Sequence, residues 1–259
     1  MRNILPYKLL EHKFWGKSIS DFLYWFKLKS ENYFVIIDTE TTGLPNDTYE
    51  VQLTQISCLV IKYNYTSNSF NEIDKYNKKL KLTPETLSLS KNKTRIPKVL
   101  SFNHYGQKDI KYFDEKDTLK DFYNFLNKYD NSILIIQNAE FDMRYLNIRS
   151  LNKFDNEVID TKQILQLFYL PLIQKLSEND INYTNLIKKI GTSDRDNGLI
   201  SSSMGKIGPA LGINMSGYHD ALTDCRITAE MLQKIIQFLK DNQNIDIKKY
   251  QYQRINTKK

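Results

Sequence analysis

Residues 35–45 read Val-Ile-Ile-Asp-Thr-Glu-Thr-Thr-Gly-Leu-Pro, an apolar run that ends abruptly in acids and a turn. The β-branched and aromatic run from Tyr33 to Ile37 predicts a buried strand. Residues i and i+2 of an extended chain point to one face, so the carboxylates of Asp38 and Glu40 project together from the strand end. Two like charges held so close repel each other unless a cation neutralises them, and hard divalent metals prefer oxygen ligands. Taken alone, such a pair is more typical of solvated carboxylates or of a turn cap.

A second acidic segment begins where another apolar run ends. Ile133–Ile136 predicts a short strand, and helical spacing resumes over residues 139–148, so Asp142 falls in the first helical turn. The simpler interpretation is that Asn138 caps this helix, while Glu140 and Asp142 complement its dipole. That interpretation can hold for Asn138 and Glu140 even if Asp142 is a metal ligand.

The third acidic segment opens the clearest helix in the sequence, whose apolar residues recur every three or four positions from Leu222 to Leu239. Asp224 lies at the edge of this apolar stripe, where it can face a site while the helix stays packed. Five residues span about 140° of helix, so His219 can share that site only from the loop before the helix. A single histidine in this position is more often a cap or a surface residue than a catalyst.

The segments between these acids alternate between strand and helix patterns. Further strands are expected over residues 51–63, 80–82 and 158–159, and further helices over residues 118–128 and 164–168. This alternation predicts an α/β domain. Residues 177–217 are rich in glycine and are expected to be mostly loop, and residues 64–115 show little pattern.

Composition limits the classes of partner. The chain has 259 residues and a formal charge of +7, an excess that favours polyanionic partners without choosing between nucleic acid and a membrane surface. The two cysteines, Cys58 and Cys225, offer neither a disulfide framework nor a zinc cluster. No apolar stretch approaches the roughly 20 residues that span a bilayer. We therefore expect a soluble intracellular protein, cytoplasmic or in the nucleoid or nucleus, without a membrane partner.

Taken together, the three acidic segments resemble the motifs of the DEDDh family of 3′–5′ exonucleases, which is named for four acids and a histidine. The first motif matches residue for residue over Asp38-Thr39-Glu40-Thr41-Thr42-Gly43, and the last over His219-Asp220-Ala221-Leu222-Thr223-Asp224. The middle motif is similar over Asn138-Ala139-Glu140-Phe141-Asp142, although Gln137 stands where many members have histidine. The resemblance covers about residues 33–240 and implies an α/β, ribonuclease H-like fold, a mixed β-sheet flanked by helices.

The resemblance also implies an activity and a set of site residues. The enzyme would remove nucleotides from the 3′ end of single-stranded or frayed nucleic acid and release 5′-mononucleotides. Two Mg²⁺ or Mn²⁺ ions would activate the attacking water and stabilise the leaving oxygen, held by Asp38, Glu40, Asp142 and Asp224. His219 would accept the proton of the water. The expected substrate-binding residues are Thr41, Thr42, Gly43, Leu44 and Asn138, with Leu44 packed against the terminal base.

The same resemblance suggests a division of the chain into an N-terminal helical extension over residues 1–30, an exonuclease domain over 31–240 and a basic tail over 241–259 that is expected to fray. The extension is rich in aromatic residues. These either bind a protein partner or pack on their own domain, the alternative that we consider for Trp15, Trp25 and Phe26.

Three questions stay open in the sequence. DNA, in proofreading, repair or genome turnover, and RNA, in trimming or degradation, are nearly balanced as substrates, because the metal motifs act on the phosphodiester and do not read the sugar. DNA is slightly favoured. A catalytically silent binding or interaction module is the other alternative, although none of the acids is missing. Two basic segments either track phosphates or form a solvated surface: Lys91, Lys93, Arg95 and Lys98, and Lys248, Lys249, Arg254, Lys258 and Lys259.

Overall fold

The computed structural model describes residues 8–9, 13–44, 50–90, 96–103, 105–106, 110–149, 156–194 and 198–251. Within these ranges a mixed sheet carries helices on both faces. Its strands are β1 (Lys8–Leu9), β2 (Tyr33–Thr41), β3 (Leu53–Asn64), β4 (Ser69–Leu80), β5 (Tyr112–Phe113), β6 (Ile133–Ile136) and β7 (Glu157–Asp160). Their order across the seven-stranded sheet is β1-β7-β6-β2-β3-β4-β5. The predicted mixed α/β sheet flanked by helices is confirmed.

The helices of the described residues are α1 (Ile19–Lys29), α2 (Pro84–Ser90), α3 (Ile96–Phe102), α4 (Glu115–Leu126), α5 (Ala139–Arg149), α6 (Thr161–Ile164), α7 (Leu170–Leu176), α8 (Ile181–Ile190), α9 (Met204–Ala210) and α10 (Ala221–Asp241). A π-helical segment, Leu165–Tyr169, joins α6 to α7. None of the helices in the described part of the chain is long and apolar enough to cross a membrane.

Strand β2 organises the sheet because it pairs with a strand of each orientation. It runs antiparallel to β3 and parallel to β6, with Ile37 opposite Ile136. Strand β7 continues the parallel part, with Asp160 opposite Ile136. The carboxyl ends of β2, β6 and β7 therefore meet at one edge of the sheet, and the chain segments that leave them are brought together there.

Alternating side chains of β2 enter two separate cores. Phe34 and Ile36 belong to a cluster that includes α1 and α10, whereas Val35 and Ile37 belong to a cluster that includes α4 and α5. All four side chains are at most 1% exposed. Burial on both faces explains why the run is continuously apolar rather than alternating, as in strands covered on both sides.

The segment over residues 177–217 is not mostly loop as expected, because it contains α8 and α9. Helix α8 begins at the Asp180 cap, whose side chain accepts the Asn182 N–H at 2.8 Å. Glycine is used in α9 for close packing, since a Cβ added at Gly208 would lie 2.5 Å from the sulfur of Met215. Gly208, one of the glycines predicted to interrupt a helix, therefore lies inside α9 and allows Met215 to pack against it. Residues 64–115 likewise hold regular structure, above all the 12-residue β4, which ends rather than begins at Leu80.

The tail is docked over its described part, so the expectation of fraying is wrong up to residue 251. Ile247 is 2% exposed and Gln251 is 1% exposed. The Gln251 amide donates to the Leu167 carbonyl at 2.7 Å, within the π-helical segment, and to the Lys17 carbonyl at 3.2 Å. A π-helical segment interrupts the regular hydrogen bonds of an α-helix, and the Gln251 side chain supplies a donor to one of its carbonyl groups. Residues 252–259 lie outside the described residues.

Helix α1 packs into the first core. A capping box between Ser18 and Asp21 begins it. The ring of Phe22 stacks on that of Phe168 with centroids 4.6 Å apart, and the ring of Phe26 meets that of Phe34 at 5.4 Å. Trp25 and Phe26 are buried, whereas Trp15 is 45% exposed. The division into extension, domain and tail, and a partner for residues 1–30, stay predictions.

The packing of α1 predicts a large difference between two neighbouring aromatic positions. Phe22→Ala removes a side chain that is fully buried, and is expected to lower the free energy of unfolding by about 3–5 kcal/mol. Tyr24→Ala changes a residue that is 68% exposed, so its effect should stay within about 0.5 kcal/mol. Urea denaturation of both variants measures this difference, and equal effects would show that α1 is not part of the core.

Candidate active site

Four predicted acids and the predicted histidine line one cleft at the sheet edge where β2 and β6 end. Asp38 and Glu40 lie near the end of β2, and Asp142 and Asp224 lie in the first turns of α5 and α10. His219 lies in the loop before α10, as the helical geometry requires. All five residues line the cleft, together with Asn138.

The side chain of Asp142 is fixed by β2 itself. Both the backbone N–H and the hydroxyl of Thr39 donate to Asp142 Oδ1, at 2.8 and 2.7 Å. Asp142 is 2% exposed and Thr39 is 4% exposed, so water competes little for these bonds. The residue between the two acids of β2 therefore ties the start of α5 to the strand.

The loop before α10 holds His219 against Asp224. The backbone N–H of His219 donates to both carboxylate oxygens of Asp224, each at 3.3 Å, and the backbone N–H of Asp224 closes the first helical turn onto the Asp220 carbonyl at 2.9 Å. His219 has a φ of 73°, a conformation that costs a non-glycine residue about 1–3 kcal/mol. Tyr218 stacks on the imidazole with ring centroids 4.0 Å apart. Potential ligand atoms of His219, Asp224 and Glu40 lie within 4.8 Å of one another.

Burial and mutual repulsion raise the pKa of every acid in the cleft. Burial is the largest cause throughout, and it raises the pKa of Asp142 and of Asp224 to about 7. The pKa values of Asp38 and Glu40 are raised well above their usual range by burial and then by the neighbouring carboxylates. Hydrogen bonds from Thr39 oppose the rise at Asp142 without cancelling it. The cluster therefore lacks the positive charge that would let all four acids ionise.

These residues fit a divalent metal ion. Their donors are carboxylate oxygens, which hard cations prefer, and their raised pKa values show the electrostatic demand that a cation would meet. Lys79 partly opposes the rise in the pKa of Glu40, but it does not line the cleft, and its ammonium lies 3.7 Å from Asp220 Oδ2. Asp38, Glu40, Asp142 and Asp224 would hold the metal, with His219 close enough to join them.

Asp160, which the sequence did not single out as a site residue, builds the wall beside α5. Its carboxylate accepts the N–H groups of Asn138 at 2.9 Å, Ala139 at 3.1 Å and Lys162 at 2.9 Å. Asn138 has a φ of 68°, which this anchor helps to maintain. The parallel alignment of β6 and β7 offered a signal, because Asp160 ends a predicted strand next to the one that leads to Asn138.

The remaining wall comes from a segment with no recognisable motif. Gln137, at the position where many family members have histidine, donates to the Ser202 carbonyl at 3.2 Å and accepts a hydrogen bond from Thr161. Gln166 donates to the Ser202 hydroxyl at 3.1 Å. Cleft residues that the sequence did not identify are Thr39, Gln137, Phe141, Lys162, Ser193, Ser202, Ser203, Met204 and Tyr218.

The residues predicted to bind the terminal nucleotide are not among those that line the cleft: Thr41, which ends β2, and Thr42, Gly43 and Leu44, which follow it. Thr42 is fully buried and exchanges two hydrogen bonds with Gln52, each of 2.9 Å. The Asn103 amide donates to the Thr41 carbonyl at 2.8 Å. The turn is thus firmly anchored, and its contact with a nucleotide stays a prediction.

The two predicted basic segments are described only in part. Lys98, Lys248 and Lys249 are exposed. Lys249 lies 3.5 Å from a carboxylate oxygen of Glu178, an ion pair of the surface type. The other members, Lys91, Lys93, Arg95, Arg254, Lys258 and Lys259, lie outside the described residues. A role of either segment in binding phosphates stays a prediction.

Neither a protein-family model nor a curated protein matches the sequence. Solved structures do match. E. coli exonuclease I in complex with a dT13 oligonucleotide is 18% identical over 78% of this chain and 40% of that chain, with a TM-score of 0.52. The same enzyme in complex with a dA16 oligonucleotide is 15% identical over 80% of this chain and 42% of that chain, with a TM-score of 0.55. The nuclease domain of 3′hExo, a DEDDh family member bound to rAMP, is 13% identical over 83% of this chain and 95% of that chain, with a TM-score of 0.55. The chain spans about two fifths of the length of exonuclease I. Its fold is the ribonuclease H-like fold of the DEDDh 3′–5′ exonucleases, as the motifs predicted.

Proposed function

We propose that this protein is a metal-dependent 3′–5′ exonuclease, which hydrolyses phosphodiester bonds from the 3′ end of single-stranded or frayed nucleic acid and releases 5′-mononucleotides. The observation that carries the proposal is the convergence of Asp38, Glu40, Asp142 and Asp224 with His219 in one cleft. The exonuclease domain is residues 31–240. Complete retention of the acids and the histidine argues against a catalytically silent module.

The side chains of the cleft divide the work of hydrolysis. The four acids would hold two Mg²⁺ or Mn²⁺ ions, whose positive charge would stabilise the charge that develops at the phosphate. His219 accepts the proton of the attacking water, because imidazole titrates near neutral pH. The backbone N–H of His219 bound to Asp224 fixes the loop that carries the histidine, and the Tyr218 ring restricts the orientation of the imidazole. Thr39 keeps Asp142 aimed into the cleft.

We propose DNA as the preferred substrate, because the exonuclease I structures that match the fold hold DNA oligonucleotides. RNA trimming is the second candidate, because the 3′hExo nuclease domain is bound to rAMP. The acids and His219 address the phosphodiester, which DNA and RNA share. The sugar must therefore be distinguished by other residues, and we propose that the turn at Thr41–Leu44 and Asn138 do so.

The central prediction concerns Asp142→Asn, which retains an oxygen that can accept both hydrogen bonds from Thr39 but removes the charge. With 5′-labelled single-stranded DNA and Mg²⁺ or Mn²⁺, the wild type is expected to give a ladder that shortens from the 3′ end, and EDTA should abolish it. The variant should lose at least about a hundredfold in rate, since even second-shell changes at metal sites cost 10–100-fold.

Asp117→Asn is the matched control, because Asp117 is exposed in the first turn of α4 and does not line the cleft. It should shorten the DNA at the wild-type rate. If the wild type shortens neither DNA nor RNA in the presence of metal, the proposed activity is refuted. If both variants lose activity equally, the loss does not come from a change in the cleft.

The substrate preference is tested with DNA and RNA of one sequence under identical conditions. We expect a higher kcat/KM for DNA. A higher kcat/KM for RNA would establish the exoribonuclease alternative while leaving the chemistry of the cleft unchanged. A chimeric strand with one terminal ribonucleotide then shows whether the discrimination lies at the 3′-terminal sugar.

Stability of the metal-free protein should fall as the pH rises. An acid whose pKa is raised in the folded state binds protons more tightly there than in the unfolded chain, so deprotonation favours unfolding. Asp142 and Asp224 have an ordinary pKa of 3.8 and a folded pKa of about 7, which places the loss between about pH 4 and pH 7. We expect the Tm in EDTA to decrease from pH 5 to pH 8.

Added Mn²⁺ or Mg²⁺ should raise the Tm most at pH 8, because metal binds the ionised acids of the folded state. The double variant Asp142→Asn with Asp224→Asn should show a smaller fall with pH and a smaller metal effect. A Tm that is insensitive to metal at pH 8 would contradict a metal site formed by these acids.

A further inference from the structure

The wall of the cleft beside α5 carries a lysine that the proposed chemistry does not use. Lys162 lies in the first turn of α6, directly after β7, and its side chain lines the cleft. Strand β7 is two strands from β2, with β6 between them. Neighbouring strands are about 4.8 Å apart, so Lys162 starts roughly 10 Å along the sheet edge from the acids of β2.

The ammonium of Lys162 is held by Asn138, and its charge partly offsets the rise in the pKa of Asp160, with which it forms no salt bridge in the described part of the chain. Among the described residues its Nζ donates one hydrogen bond, to Asn138 Oδ1 at 3.2 Å, and forms no ion pair with the acids of the cleft. An ammonium has three donors, so further donors remain for an anion. Asp160 fixes the backbone at both ends of this contact, by accepting the N–H groups of Asn138 and Lys162.

The rest of this wall suits a phosphate. Ser193 and Ser203 add hydroxyl groups, and Lys162 is the only lysine or arginine among the residues that line the cleft in the described part of the chain. Lysine, serine and asparagine are common partners of phosphate oxygens in nucleic-acid complexes. The lysine also offsets the negative charge that the cluster of acids presents to an entering polyanion.

We propose that Lys162 binds a non-scissile phosphate of the substrate strand, on the 5′ side of the bond that is cleaved. This inference rests on the proposed exonuclease function. In that reaction the scissile phosphate lies beside the acids, and the terminal nucleotide ends in a 3′ hydroxyl. Every other phosphate of the strand is therefore upstream, and a lysine that starts roughly 10 Å along the sheet edge from the acids of β2 is placed to contact one of those.

Substrate length provides the sharpest test, because a dinucleotide with a 5′ hydroxyl contains only the scissile phosphate. Oligonucleotides of two to six residues are compared in the wild type, Lys162→Gln and Lys162→Arg. We expect Lys162→Gln to match the wild type on the dinucleotide and to lose about tenfold in kcat/KM once the contacted phosphate is present, the worth of one charge-assisted hydrogen bond. Lys162→Arg, which keeps the charge, should recover most of that loss.

A neutral methylphosphonate placed at one linkage at a time identifies the phosphate. At the contacted linkage it should slow the wild type and leave Lys162→Gln unaffected. Lys188→Gln is the control for net charge, because Lys188 is exposed on α8 and does not line the cleft. A loss in Lys162→Gln that is equal at all lengths, dinucleotide included, or no loss at any length, overturns the proposal.

Equilibrium binding separates this proposal from the exonuclease proposal. Fluorescence anisotropy with a labelled ten-residue oligothymidine in EDTA requires no catalysis. The slope of log K against log salt concentration should be smaller in magnitude by about 0.7 in Lys162→Gln, the value of one phosphate contact on a single strand. A wild type that cleaves nothing refutes the exonuclease proposal, whereas an unchanged slope refutes the role of Lys162.

Discussion

Repulsion between the four buried carboxylates of the cleft is the constraint that the rest of the structure has to meet. Burial raises the pKa of each acid, and neighbouring carboxylates raise it further. The fold opposes this cost by holding the acids on three elements, β2, α5 and α10, and by anchoring the two helical acids. Thr39 binds Asp142, and the His219 N–H binds Asp224. Such a set of oxygen donors, held together by the fold, is what a divalent cation requires.

The anchoring extends well beyond the acids. Strand β2 is buried on both faces, so its end cannot shift without disturbing two cores. Helix α10 presents Asp224 at one end and packs against β2 and β3 along its length, while α1 covers the same core. Residues far from the cleft, such as Phe22 and Gln251, therefore contribute to its geometry by keeping these elements in register.

The parts that could be predicted from the sequence are those with a local signal. Short local patterns predict the strand β2, the strand and helix around Asp142, and the apolar stripe of α10. The motifs then suggest the function of the acids that these elements carry. Asp160 and Lys162 could not be assigned, because their role depends on β7 lying beside β6, which is a matter of strand order. Helix α9 could not be predicted, because Gly208 indicates a loop in the sequence, whereas in the fold its lack of a side chain makes room for Met215.

Asp160 joins two functions in one carboxylate. It receives N–H groups from the start of α5, three residues before Asp142, and from Lys162 at the start of α6. The proposed metal-binding side of the cleft and the wall that carries Lys162 are thus anchored by the same carboxylate. Lys162 or Asn138 can be substituted one at a time, but a change at position 160 would alter both sides together. We therefore expect selection to conserve Asp160 together with the proposed catalytic residues, although it does not line the cleft.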